Sequence, residues 1–93
     1  MKVNFKSFGL LRRLLGRRIL ELEVQEPATV RDVIDRVLEI GGSEVKNLII
    51  DKDRISGNLI VMLNLKDTNT LDGENTPVKD GDEVAVLPHV QGG

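Results

Sequence analysis

Apolar and polar residues alternate from the start of the chain. Over residues 2–8, Val3 and Phe5 fall on one side, and Lys2, Asn4 and Lys6 on the other. A period of two predicts a strand with one buried face; Gly9 ends it. Leu10-Leu11-Arg12-Arg13-Leu14-Leu15 then sets leucine pairs four apart. One or two helical turns laid on the core would bury these leucines, and a partner-binding leucine patch is the other reading. Residues 17–25 alternate again, with Leu20, Leu22 and Val24 inward and Glu21 and Glu23 outward. This second strand pairs with the first as an antiparallel hairpin with a long connection, its polar face toward water.

The pattern then changes period. After Pro27-Ala28, Thr29 is the expected N-cap of a helix, with Asp32 at N3 near the positive end of the helix dipole. Val30, Val33, Ile34, Val37 and Leu38 form one apolar stripe. Arg31 with Asp35, and Asp32 with Arg36, are expected as i, i+4 ion pairs. Gly41-Gly42 is the expected stop. Residues 43–50 fit either a short helix capped by Ser43 or the start of a strand. Residues 51–58 read as a polar loop. Leu59-Ile60-Val61-Met62-Leu63 is apolar on both faces and predicts an internal strand, or an edge strand covered on both sides. Residues 66–80 read as loop, ending in the turn dipeptide Asp80-Gly81. Residues 82–87 form the last strand, which Pro88 ends.

The order is strand, strand, helix, strand, strand. The first and last strands can lie side by side in parallel only if a crossover covers the sheet, and the long helix supplies it. The expected class is α+β, a β-grasp (ubiquitin-like) mixed sheet packed on one main helix. Its expected limits are residues 1–88, with residues 89–93 as a flexible tail. At 93 residues the chain makes one small domain.

Composition narrows the chemistry. There is no cysteine, so disulfides, thiolate metal sites and a thiol nucleophile are out. Phe5 and Phe8 are the only aromatics, so the core must be aliphatic. The net charge of −2 gives no general affinity for nucleic acid, but its distribution is uneven. Before Glu21 every charged side chain is basic: Lys2, Lys6, Arg12, Arg13, Arg17 and Arg18. The last third leans acidic, which can steer a partner. With no signal-peptide pattern and no run of about 20 apolar residues for a membrane span, the expectation is a soluble cytoplasmic protein with no membrane partner.

Nor do the usual catalytic patterns occur. His89 is the only histidine, the serines lack a nucleophile-elbow context, and neither a P-loop nor a dinucleotide fingerprint is present. Paired carboxylates such as Asp80 with Asp82 sit in turns, where Asp serves backbone hydrogen bonds. What remains is the end of the sequence, Pro88-His89-Val90-Gln91-Gly92-Gly93. Two residues without Cβ atoms make a thin tail that can enter a narrow channel. Activated as an anhydride with AMP, the Gly93 carboxylate becomes an electrophile, and a sulfur nucleophile can convert it to a thiocarboxylate.

The run Asp80-Gly81-Asp82-Glu83-Val84-Ala85-Val86-Leu87-Pro88, followed by Val90 and Gly92-Gly93, resembles the MoaD/ThiS family of β-grasp sulfur carriers. The nearest likeness is to the small subunit of molybdopterin synthase and its archaeal ubiquitin-like relatives. Val61-Met62-Leu63-Asn64 looks like the family's strand before an Asn-Gly turn. The resemblance implies a non-catalytic carrier whose Gly93 is the reacting site, with Leu87, Pro88, His89, Val90, Gln91 and Gly92 contacting partners. It implies an E1-like adenylyltransferase using ATP, a sulfur donor and the molybdopterin synthase large subunit as partners. No cofactor would be permanently bound. Alternatives are a ubiquitin-like modifier joined through Gly93 to target lysines, or a carrier for thiamine or tRNA thiolation; an RNA-binding module is the outlying reading. Two positions depart from the family. Leu65 stands where glycine is usual, which implies a longer or different turn, and His89 replaces a second proline, which implies a less stiff tail.

Overall fold

The computed structural model describes residues 1–88. Strand β1 (Lys2–Ser7) is followed by helix α1 (Gly9–Leu15) and strand β2 (Ile19–Glu23). A two-residue strand β3 (Ala28–Thr29) leads into α2 (Val30–Ile49). Then come β4 (Ile50–Asp51), β5 (Arg54–Ile55), β6 (Leu59–Leu63), β7 (Lys66–Asp67), two short 3₁₀ turns, β8 (Pro77–Val78) and β9 (Glu83–Pro88). The main sheet has the order β2-β1-β9-β6-β7. Strand β1 pairs antiparallel with β2 and parallel with β9, and β6 pairs antiparallel with β9. This is the β-grasp arrangement that the element order predicts.

The apolar stripe of α2 explains the packing. Val30, Val33, Ile34 and Val37 are fully buried against Val3, Phe5, Val84 and Val86 from the inward faces of β1 and β9. Each such side chain contributes about 1.5–3 kcal/mol on leaving water. Thr29 caps the helix as expected: its side chain accepts from the Asp32 N–H, and Asp32 reaches back to the Thr29 N–H at 2.9 Å. That use of Asp32 replaces the expected pair with Arg36, whose guanidinium meets Glu39 instead at 3.1 Å. The Arg31–Asp35 pair forms at 2.9 Å.

Four other expectations change. Gly41-Gly42 kinks α2 rather than stopping it: Gly42 takes φ 77 and ψ −162, and residues 43–49 continue as a second helical segment. The residue that forces close packing is Gly41, where a Cβ would collide with the side chain of Val45. Residues 51–58 hold a small hairpin, β4 with β5, instead of a plain loop. Residues 66–80 supply β7, which extends the main sheet, and β8, which pairs with β3. Two-residue strands carry too little periodicity to be read from a sequence.

The fourth change concerns Leu65. The turn is neither longer nor different: Leu63 pairs with Lys66 across a two-residue connection, Asn64-Leu65. Both residues take positive φ, 50 and 69, as a type I′ hairpin turn requires. Asn64 anchors the turn. Its side chain accepts from the Glu83 N–H at 2.9 Å and donates to Asp82 at 3.0 Å.

Among the described residues no helix is long and apolar enough to cross a membrane, and no cluster of His, Asp or Glu could hold a metal ion.

Candidate functional site: the end of the central strand

Strand β9 lies between β1 and β6 and is paired on both sides for part of its length. The pairing with β1 ends at Ser7 opposite Val86, where the first strand turns away into α1. Pairing with β6 continues two residues further, to Leu59 opposite Pro88. The last residues of β9 therefore have an open flank. Proline suits this position, since it lacks the N–H that a second neighbour would need. Leu87 is half-buried and Pro88 exposed. The other residues assigned to the site from the sequence, His89, Val90, Gln91, Gly92 and Gly93, lie outside the described residues.

The open flank is an apolar cleft of about 80 Å³ between β9, α1 and the second segment of α2, lined by Phe8, Leu10, Leu48, Leu59 and Pro88 among others. The leucine pairs of α1 divide here. Leu11 is buried in the core, Leu14 and Leu15 are half-buried against it, and Leu10 is 57% exposed at the cleft mouth. Most of that segment is core, as the first reading expects, and one leucine is left at the surface.

Ser7 fixes the geometry beside the cleft. It is buried among apolar neighbours because period-two alternation puts it inward with Val3 and Phe5. Its hydroxyl donates to the Arg17 carbonyl at 2.9 Å, and its N–H donates to the Arg18 carbonyl at 3.0 Å. The Arg12 guanidinium donates to the Ser7 carbonyl at 3.3 and 3.2 Å. A buried hydroxyl at the end of an inward strand face was the available signal for this role, and pattern reading alone passed over it.

The sheet face away from α2 also changes character along β9. Its registered rows run from Glu21, Asn4 and Glu83 to Ile19, Lys6, Ala85 and Met62, and then to Leu87 and Ile60. The rows nearest Pro88 are thus mainly apolar. Ala85 is buried, and Met62, Ile60 and Leu87 are half-buried without joining the main core. An apolar sheet face with polar margins is the composition of a protein contact surface.

Chemistry within the described residues is otherwise committed to structure. Besides Ser7, the buried polar side chains are Thr68 and Thr76, which donate to the carbonyls of Val61 and Gly73 at 3.0 and 2.8 Å. Asp80 accepts from the Lys2 N–H at 2.7 Å and Asp82 from the Lys79 N–H at 2.7 Å, which is the turn role expected for them. Arg31 is held even more firmly protonated than an ordinary arginine, by hydrogen bonds to Asp35 and then Glu74.

Comparison with known proteins gives this arrangement a family. The model of the ThiS family matches residues 6–93. The chain is 31% identical to Small archaeal modifier protein 3 of Haloferax volcanii over 93 residues, all of both chains. A chain of the Amycolatopsis orientalis BexX/CysO complex superposes with a TM-score of 0.83 at 28% identity, covering 98% of this chain and 99% of that one. The putative molybdopterin converting factor subunit 1 of Pyrococcus furiosus superposes with a TM-score of 0.76 at 28% identity, covering 97% and 99%. Sequence and fold agree, and the chain belongs to the ThiS family of small ubiquitin-like, β-grasp carrier proteins.

Proposed function

We propose that this chain is a sulfur carrier whose reacting group is the Gly93 carboxylate, and that it serves as the small subunit of a molybdopterin synthase. The observation that carries the reading is the open end of β9. The fold leaves Pro88 at the surface beside an apolar cleft, and the family match continues through residue 93. Extended, residues 90–93 span about 13 Å, enough to bring the terminal carbonyl into a neighbouring active site. The likeness to a putative molybdopterin converting factor subunit supports the choice of acceptor.

The steps balance as follows. A Gly93 carboxylate oxygen attacks the α-phosphorus of ATP on an E1-like activating enzyme, and pyrophosphate leaves. Hydrosulfide, the simplest form of the sulfur donor, attacks the carbonyl carbon of the acyl-adenylate. The bond to AMP breaks, AMP leaves with the electron pair, and loss of the sulfur-bound proton gives the thiocarboxylate. Its sulfur is the nucleophile delivered to the precursor on the large subunit. Hydrolysis at the carbonyl then returns the carboxylate. ATP belongs to the activating enzyme, so the chain itself needs no resident cofactor. The apolar sheet rows near Leu87 and the cleft beside Pro88 hold the partner while Gly92 and Gly93 occupy its channel. Positioning of this kind is the main contribution a carrier makes to the rate. A cytoplasmic setting, where ATP is supplied, fits the cycle.

The test is intact mass after incubation with the activating enzyme, ATP and sulfide. The chain should gain one oxygen-to-sulfur exchange, and deleting Gly93 should abolish it. An unchanged mass with an activator proven on another carrier sinks the proposal. A second reading, protein modification, is favoured by the full-length match to a small archaeal modifier protein. It predicts conjugates in cells. Trypsin cuts after Lys79, so modified lysines would carry the peptide from Asp80 to Gly93.

A further inference from the structure

We infer that the basic residues beside the end of β9 form a docking arc for an acidic rim on the activating enzyme, set around the opening that admits the tail. The inference rests on the carrier reading above, and it stands equally for a modifier, since both require activation of Gly93.

Strand register puts the arc there. Because β1 runs parallel to β9, its end at Ser7 lies level with Val86, so the basic stretch that follows β1 is brought to the end of β9. Ser7 holds Arg12, Arg17 and Arg18 at that place through the hydrogen bonds already described. Arg13 lies one helical turn beyond Leu10 at the cleft mouth, and Lys6 pairs in register with Ala85. Among the described residues, none of these five cations lies within 4.0 Å of a carboxylate; Lys46, Lys52, Arg54, Lys66 and Lys79 share that state, so it is their grouping at one end of β9 that sets the five apart. Acidic residues enter the sheet face one row back, at Glu21 and Glu83. On the other flank of Pro88 a second hollow is lined by Asp51 with Asn47 and Asn58, so charge of both signs meets there, with Lys52 and Arg54 in the same hairpin, whereas the arc is basic alone.

The same features select a protein over a nucleic acid. Single strands are held by stacking on open aromatic faces. Phe5 is fully buried, and the Phe8 ring is met by Lys6 at 5.3 Å and by the Arg12 guanidinium at 5.6 Å. In place of a stacking platform the arc contains exposed Leu10 and Ile19 (57% and 46%), which give an apolar centre with a charged margin. Charge at the margin of such a contact acts mainly on the association rate and weakens with salt.

The test compares two variants of the full chain with equal change in net charge. One carries Arg13→Glu, Arg17→Glu and Arg18→Glu, all exposed positions. The other carries Lys2→Glu, Lys66→Glu and Lys79→Glu, also exposed and away from β9's end. ATP–pyrophosphate exchange by the activating enzyme is measured against carrier concentration, with circular dichroism to check folding. The arc variant should raise KM at least about tenfold at low salt with kcat within about twofold. The unmodified chain's KM should climb toward that of the variant as salt rises, and the control variant should move KM less than about threefold. Equal KM for the arc variant and the unmodified chain, or equal losses in both variants, overturns the docking assignment while exchange itself still supports the carrier reading. No exchange by the unmodified chain overturns the carrier reading and the docking assignment with it. Binding of a single-stranded RNA oligonucleotide that is lost in the arc variant, with KM unchanged, replaces the protein partner with RNA.

Discussion

Leu65 offers the sharpest test of how the backbone of this fold was derived. The two-residue turn between β6 and β7 needs positive φ at both positions, and Leu65 takes φ 69. Left-handed backbone costs an L-residue about 1–2 kcal/mol, while glycine is exempt. Two terms oppose the gain in Leu65→Gly. The unfolded chain becomes more flexible, which costs about 0.4–1 kcal/mol. The side chain is 78% exposed, so the burial lost is small, about 0.3–0.7 kcal/mol. The net expectation is a stabilisation of about 0.3 kcal/mol, which raises Tm by roughly 1–2 °C in a domain of this size.

Urea and thermal unfolding followed by circular dichroism would measure it, with an unchanged m-value showing that the folded and unfolded ends are comparable. Two companion substitutions separate the causes. Leu65→Ala keeps the strain and sheds what burial there is, so Tm should fall slightly. Leu65→Asn tolerates the left-handed region and should gain as glycine does. If alanine stabilises as much as glycine, the benefit comes from removing an exposed leucine and the backbone reasoning is wrong.

Two further substitutions probe the kink and the insert. Gly41→Ala would ordinarily strengthen a helix, yet here the new Cβ meets Val45; a loss of about 1–3 kcal/mol in urea unfolding is expected, and a gain would show that the kink relaxes freely. Arg31→Ala removes a guanidinium that pairs with Asp35, Glu74 (2.6 Å) and the Asp53 carbonyl. Its expected cost is about 1–2 kcal/mol, with Arg31→Lys recovering less than half because an ammonium cannot span three acceptors; full recovery by lysine would reduce the contact to simple charge.

The sequence exposed those parts of the fold that repeat a pattern. The alternation of Val3 and Phe5 gave β1, that of Leu20 and Leu22 gave β2, and the stripe from Val30 to Leu38 gave the first segment of α2 with its Thr29 cap. The apolar run from Leu59 to Leu63 gave a covered strand, since β6 has neighbours on both edges and half-buried side chains on its outer face. Unreadable were features set by single tertiary partners. Asp32 had two equally spaced uses, and only the cap geometry chose between them. Whether Gly42 ends or bends a helix depends on whether residues 43–49 find a core, which Val45 and Ile49 do. At the candidate site, the strand through Leu87 was legible as alternation, whereas β9 runs one residue further and takes in Pro88, the residue expected to end it. The contribution of Ser7 was not legible, because it depends on which strand lies beside β9.

That parallel neighbour also explains why the two charged ends of the sequence become two poles with different duties. Strands β1 and β9 run parallel, so Lys2 lies near the turn that precedes Glu83, and their pairing ends at Ser7 and Val86, two residues before β9 itself ends at Pro88. The acidic residues at the starting pole are engaged in holding backbone: Asp80 takes the Lys2 N–H, and Asp82 takes the Lys79 N–H and the Asn64 amide. Carboxylates committed in this way have little reach left for a partner. At the finishing pole the order is reversed. The backbone of Arg17 and Arg18 does the holding through its carbonyls, which leaves their side chains exposed beside the end of β9. A single register therefore separates the charges that build the turn from the charges that can meet another protein, and it places the second set beside the end of β9.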